Sequence, residues 1–321
     1  MISWASIGRA RTRLVRRACV QPAGVGPAWV RLVAAALLCL GASCSTGATV
    51  NLGAQAPRPY HFGTPRLHAE LGTANANDNP TLTADLLDLY FTSARDANAT
   101  DVWTAHRASV SEPFTDVAPV TAANSPFFET SAAISLDALT LWVGTNRAVG
   151  VDDLDIWVLS RPTRDAPWSA PRAVPELNSL ARDVPRPPGQ HGLVMPLASE
   201  RDSPGLYRTY LSERSTLSAP FGPPRAIPEL ISPNLNTVDA FLTDDGLTLF
   251  FSSSPSSGAG DLFVASRRSL AEPFSSVVPL EQLNTASDER DPWLSPDGQT
   301  LFFSSDRDGI LNIYEVAASR S

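Results

Sequence analysis

One pattern returns five times along this chain at a spacing of about 53 residues. Self-similarity at that period marks a stacked or circular repeat architecture rather than one irregular core. The fullest copy reads Asp291-Pro292-Trp293-Leu294-Ser295-Pro296-Asp297-Gly298-Gln299-Thr300-Leu301-Phe302-Phe303-Ser304-Ser305-Asp306-Arg307, followed by Asn312-Ile313-Tyr314. A second runs from Asp239 through Asp245-Gly246 and Thr248-Leu249-Phe250-Phe251 to Asp261-Leu262-Phe263. More worn copies lie at Leu82 to Arg95 with Asp101-Val102-Trp103, at Ile134 to Arg147 with Asp155-Ile156-Trp157, and at Asp183 to Arg201 with Arg208-Thr209-Tyr210. The marker arginines Arg95, Arg147, Arg201 and Arg307, with Pro255 filling the fourth slot, step by 52, 54, 54 and 52 residues.

Within each unit the signals are those of short strands. Apolar runs rich in aromatic and β-branched residues, such as Thr300 to Phe303 and Leu262 to Ala265, read as strands, and Ser295-Pro296-Asp297-Gly298 reads as a tight turn. Long helical periodicity is absent. A later element, Glu112-Pro113-Phe114, Ala166-Pro167-Trp168, Ala219-Pro220-Phe221 and Glu272-Pro273-Phe274, closes four of the units. The fifth stops at Ser321 before reaching one, but Phe62-Gly63-Thr64-Pro65-Arg66-Leu67 near the other end echoes Phe221-Gly222-Pro223-Pro224-Arg225-Ala226. A unit split between the two termini is what a closed ring requires. The expected fold is therefore all-β: a five-bladed β-propeller of four-stranded antiparallel blades over 60–321, its last blade closed by an N-terminal strand.

The Ser-Pro-Asp-Gly turn, the apolar strand after it and the Ser304-Ser305-Asp306-Arg307 turn resemble the TolB-like, WD40-like propeller repeat, over roughly 75 to 321 and most clearly over 287 to 314. The resemblance implies architecture, and docking of envelope partners by analogy. TolB couples a separate N-terminal domain to a six-bladed ring, and neither a second domain nor a sixth copy is found here.

The ends of the chain differ in charge. No acid precedes Glu70, whereas Arg9, Arg11, Arg13, Arg16, Arg17 and Arg31 precede position 44, which leaves 19 of the 25 basic residues against 33 acids beyond it. An acidic body argues against nucleic acid and favours cations, basic partners or neutral sugars. The apolar run Trp29 to Ala42 is too short to span a bilayer, and with the basic segment before it reads as a secretory leader. Leu40-Gly41-Ala42-Ser43-Cys44 resembles a bacterial lipoprotein processing site, with Gly41 where Leu is usual. The expectation is a leader over 1–44 with lipid on Cys44 and a linker over 45–59. The result would be an exported monomer in the periplasm or on the outer surface that touches a membrane only through its anchor. Cleavage nearby to a soluble exported form is the alternative. Cys19, Cys39 and Cys44 all lie in this segment, so the body has no internal disulfide to rely on.

No catalytic motif emerges: there is no nucleophile elbow, phosphate-cradling loop, His-Glu-x-x-His or Cys-x-x-Cys. His61, His68, His106 and His191 are scattered among the repeats and read as surface or turn residues. Carboxylates remain. Asp78, Glu129, Asp183, Asp239, Glu289 and Asp291 fall at the entry of a first strand, which in a propeller lines the central channel, so they are the candidate ligand-binding residues. No cofactor is expected, though such a ring could hold a channel cation. The marker arginines sit where they could neutralise these acids within a blade, as structural ion pairs. Blade four carries Pro255 instead, which makes Asp239 the acid left free. The reading is a non-enzymatic envelope propeller that binds or scaffolds a protein or polysaccharide through its channel-mouth loops. The alternative is a carbohydrate-active hydrolase using the same carboxylates.

Overall fold

A computed structural model describes residues 59–96, 99–148 and 153–320; the leader and Cys44 lie outside them. The chain forms five antiparallel blades in sequence order. Blade one comprises Asn77–Leu82, Asp88–Ser93, Asp101–His106 and Thr115–Pro119, and blade two Glu129–Ile134, Thr140–Thr145, Asp155–Ser160 and Arg172–Ala173. Blade three comprises Asp183–Pro185, Val194–Ser199, Arg208–Glu213 and Arg225–Ala226, and blade four Leu235–Leu242, Thr248–Pro255, Asp261–Ser266 and Ser276–Pro279. Blade five combines Glu289–Leu294, Thr300–Ser305 and Asn312–Arg320 with Tyr60–Phe62 and Arg66–Leu67 from the other end of the chain. This is the five-bladed ring that the repeat predicts.

Alternation along a strand sends successive side chains to opposite faces, and in a ring each face meets a different neighbour. Phe250 packs toward blade five with Leu301 and Phe303, while Phe251 packs toward blade three with Val194 and Ile227. One apolar cluster fills each boundary, the first joining Leu89, Phe91 and Trp103 of blade one to Trp293, Phe302 and Ile313 of blade five. Replacing one such buried Phe by Ala typically costs about 3–5 kcal/mol.

The ring is shut by hydrogen bonds between the two ends. Tyr60 pairs with Arg320, Phe62 with Ala318 and Leu67 with Tyr314, and the His68 N–H donates to the Ile313 carbonyl at 3.0 Å. His68 is fully buried in this seam, not on the surface. Its Nδ1 lies 2.8 Å from Glu70 and its Nε2 3.1 Å from Glu315, which also takes the buried Arg107 of blade one at 3.2 Å. Burial pushes the Glu315 carboxyl up, but the bond and charge of His68 and the charge of Arg107 outweigh it and hold the group below its ordinary value.

A second arginine series, at 107, 161, 214, 267 and 320, was not read from the sequence. Each guanidinium lies 4.3–4.6 Å from the ring of Phe114, Trp168, Phe221, Phe274 or Tyr60. The first four also donate from Nε to a turn carbonyl, at Leu86, Ala138, Gly192 and Gly246. The Glu/Ala-Pro-aromatic element is thus the lid of an arginine that ties the outer strand to the turn beneath it. The turn aspartates act as expected: the Asp297 carboxylate accepts from Ser295 Oγ at 2.5 Å and from the Gln299 N–H at 3.0 Å, and Asp245 and Asp137 repeat the arrangement.

Candidate functional site

The first strands of blades one, two, four and five carry a bulge, where pairing slips between Asp78 and Thr81, Thr130 and Ala133, Val238 and Phe241, and Arg290 and Trp293. The residue inside it adopts a left-handed backbone: Asn79 (φ 54°), Ser131 (51°), Asp239 (57°) and Asp291 (58°). Asn and Asp tolerate this conformation better than other side chains, and a bulge re-aims the side chain it holds. Blade three pairs without a slip from Asp183 to Pro185 and contributes Arg186 instead. The six acids grouped by the sequence therefore separate by register.

Those at the first position are structural. Glu129, Asp183 and Glu289 are fully buried. They pair with Arg147 Nη2 at 3.1 Å, Arg201 Nη2 at 2.6 Å and Arg307 Nη2 at 3.2 Å. The same nitrogens donate to the carbonyls of Ala123, Leu177 and Leu283 in the loop arriving from the preceding blade. The guanidinium planes lie 5.0–5.4 Å from the third-strand rings of Trp157, Tyr210 and Tyr314. One arginine thus rivets strands one, two and three and the neighbouring loop. In blade one Arg95 does the same over Trp103, but its partner is the amide of Asn77 at 2.9 Å, not Asp78.

At three boundaries the third strand of one blade opens with another acid close to the riveted one. Asp101 is raised by burial and then by Glu129, Asp155 by burial and then by Asp153 and Asp183, and Asp261 by burial and then by Glu289. At the closing boundary, amides stand in these places, with Asn77 Nδ2 donating to Asn312 Oδ1 at 3.3 Å.

The acids further along the first strands face the channel. Arg290 Nη2 lies 3.1 Å from Asp78 Oδ2, and Thr92 Oγ1 donates to Asp78 Oδ1. Asp291 Oδ1 is 3.4 Å from Nη1 of the buried Arg186, and its Oδ2 accepts the Asn79 N–H at 3.1 Å. Arg186 also donates to Asn79 Oδ1 at 3.0 Å. Asp239 accepts from Ser252 Oγ at 2.6 Å, and among the described residues no cation lies within ion-pair distance of it.

Burial raises the Asp239 carboxyl to about 7, helped by the charge of Asp291 and opposed by Arg186. Asp78 is also raised, by burial first, against the pull of Arg290. Burial disfavours the Arg290 charge, but Asp78, Asp291, Asp239 and Asp288 together hold it above its ordinary value.

Asp78, Asp239, Arg290 and Asp291 line a cavity of about 410 Å³ at the mouth where the first strands begin, here called the upper mouth, with Phe128 and Tyr207 on its wall. Phe128 is 39% exposed, an aromatic edge beside the acids. Among the described residues no three His, Cys, Asp or Glu side chains are arranged to hold a metal ion; Arg186 and Arg290 put two positive charges where a channel cation would sit. Nor is any helix of the described residues long and apolar enough to cross a membrane. Arg186 and Arg290 escaped sequence reasoning because their copies in other blades are not basic.

No protein-family model and no curated protein sequence matches the chain. Among solved structures it is similar to TolB from Acinetobacter baumannii, with a TM-score of 0.50 at 14% identity over 76% of this chain. It spans 55% of that TolB chain. It is also similar to the α-L-arabinofuranosidase PaAbf62A from Podospora anserina, with a TM-score of 0.52 at 10% identity over 82% of this chain and 98% of that one. The catalytic domain of the Coprinopsis cinerea GH62 α-L-arabinofuranosidase gives 0.51 at 9% identity over the same shares. At such identities the likeness is one of fold: a propeller shared by TolB and by α-L-arabinofuranosidases alike.

Proposed function

We propose that the protein is a non-enzymatic binding propeller of the bacterial cell envelope, which takes a protein or polysaccharide on its upper-mouth loops with Asp239 as the principal polar contact. The observation that carries this reading is the state of the three channel carboxylates. Two-carboxylate hydrolysis of a glycoside needs two carboxyl groups free to flank the scissile bond, about 5–9.5 Å apart. Here Arg290 holds Asp78 and Arg186 holds Asp291, so one acid is open and the others are bound. An open acid beside an exposed aromatic edge suits recognition.

The hydrolase reading has one observation of its own. A carboxyl raised to about 7 beside arginine-held neighbours is the pairing that separates a general acid from an ionised partner.

One experiment tests both. The protein is incubated with arabinan, arabinoxylan and purified peptidoglycan, and both retention and released sugar are measured. Retention without release, weakened in Asp239→Asn, supports binding. Release of sugar that Asp239→Asn abolishes supports hydrolysis instead, and no retention on any polymer restricts the binding reading to a protein ligand.

The basic leader and the Cys44 site support export with a lipid anchor. Labelled palmitate incorporated by the wild type and lost in Cys44→Ser is the expected result, and unlabelled wild type would leave a soluble exported form.

A further inference from the structure

The channel has a second mouth, where the first strands end, and its chemistry is unlike that of the first. A cavity of about 530 Å³ opens there among blades two to five. Its walls mix apolar and polar groups, with Tyr60, Leu136, Phe241 and Pro296 the apolar side chains that reach its surface. The turns between the first and second strands of blades four and five bring Asp244, Asp245 and Asp297 to the same cavity, where Arg320 is the one cation among the lining residues. Arg320 is itself committed, lying 4.5 Å from the Tyr60 ring and donating to Thr248 Oγ1 at 2.6 Å. The bonds from Ser295 Oγ and the Gln299 N–H hold the Asp297 carboxyl below its ordinary value, so it stays anionic well below neutrality. Asp244 accepts the His191 N–H at 2.8 Å, and its Oδ2 lies 3.4 Å from Nδ1 of the exposed His191 imidazole, contacts that fix the carboxylate at the edge of the cavity.

A chamber of this size with apolar side chains on its wall is what a drug-sized ligand fills, with a few charged groups setting its orientation. We infer that the lower mouth is a second binding site, for a small organic cation whose apolar body packs among Leu136, Phe241 and Pro296 and whose ammonium or guanidinium group meets the Asp244, Asp245 and Asp297 rim. Charge complementarity selects this occupant. An anionic ligand of the same shape would bring its charge to three carboxylates, which is expected to disfavour it roughly ten-fold, about 1.4 kcal/mol. The site is separate from the upper mouth: Asp239 and Phe241 lie on one strand but face different cavities, as do Asp291 and Trp293, with the buried Arg186 between Pro185 of the channel strand and Pro187 of the lower wall.

The test is isothermal titration of the full-length protein with 4-phenylbutylammonium and with 5-phenylpentanoate, a pair alike in shape and opposite in charge. The expected result is saturable binding of the ammonium probe with a Kd of about 1 mM, and of the carboxylate about ten-fold weaker or not at all. Ser319 is exposed and lines the cavity, so Ser319→Phe fills the mouth without entering the core and is expected to abolish binding. Asp244→Asn is expected to weaken it several-fold. Equal affinity for the two probes, undiminished binding by Ser319→Phe, or no binding of the ammonium probe overturns the inference. Loss of binding in Asp239→Asn places the probe in the upper mouth and overturns it as well.

Discussion

Glu289 and Asp291 are two residues apart on one strand, and they do opposite work. Glu289 is fully buried, bonded to Arg307, Ser305 and Thr285, and holds a blade together. Asp291, inside the bulge, faces a channel where the acids outnumber the arginines they touch. The same contrast separates Glu129 and Asp183 from Asp78 and Asp239. Acidic residues at the mouth of a propeller are thus two populations: one satisfied within its blade, the other held across the channel and short of cations by one, at Asp239.

The largest effect expected from this contrast is on stability. Arg307→Ala leaves Glu289 buried without a cation, and such a loss costs about 3–5 kcal/mol. Urea unfolding measures it; a cost below about 1 kcal/mol would erase the distinction between the two populations.

Next comes a pH dependence with a definite sign. The folded carboxyl of Asp239 lies at about 7, above the ordinary value of 3.8 that an unfolded chain shows. Between those values the folded protein keeps a proton that the unfolded chain has released. The contribution of this group is therefore fully present below about pH 4 and is lost as pH rises through 7. Its size is on the order of 2 kcal/mol, allowing for the coupled charges around it. Thermal melts from pH 4 to 8 are expected to lose a declining slope in Asp239→Asn, whereas a slope the same in both proteins would remove Asp239 from the account.

The smallest effect is at blade one. Arg95 meets the neutral Asn77, so Arg95→Ala is expected to cost about 1–2 kcal/mol, clearly less than Arg307→Ala. Equal costs would mean that the stacking of the guanidinium on its aromatic ring, and not the acid, dominates the rivet.

Most of the fold was legible because the repeat carries it: the Ser-Pro-Asp-Gly turn, the paired aromatics and the displaced copy near Phe62 each specify a piece of a closed ring. The second arginine series was equally periodic but stood beside varied residues, from His106 to Glu213 and Ser319, and so gave no motif. The site was half legible. All six acids were named, and the pairing of Glu129, Asp183 and Glu289 with marker arginines follows from which loops share a face. The placing of Asp239 and Asp291 depends on a bulge, which breaks the two-residue alternation by one place without any signature a single sequence offers. Arg186 was missed for the opposite reason: blade three has no bulge, and the residue after Pro185 takes the channel position that Asn, Ser or Asp holds elsewhere. His68 was misplaced because nothing local marks a seam between chain ends.

The central claim is that Asp239 is a channel carboxylate without a cation, and carbon-13 NMR of the aspartate carboxyls through a pH titration addresses it directly. One aspartate with a midpoint near 7 that vanishes in Asp239→Asn is the predicted result. A spectrum in which Asp239 titrates near 4, as an exposed or arginine-held carboxylate does, would contradict it.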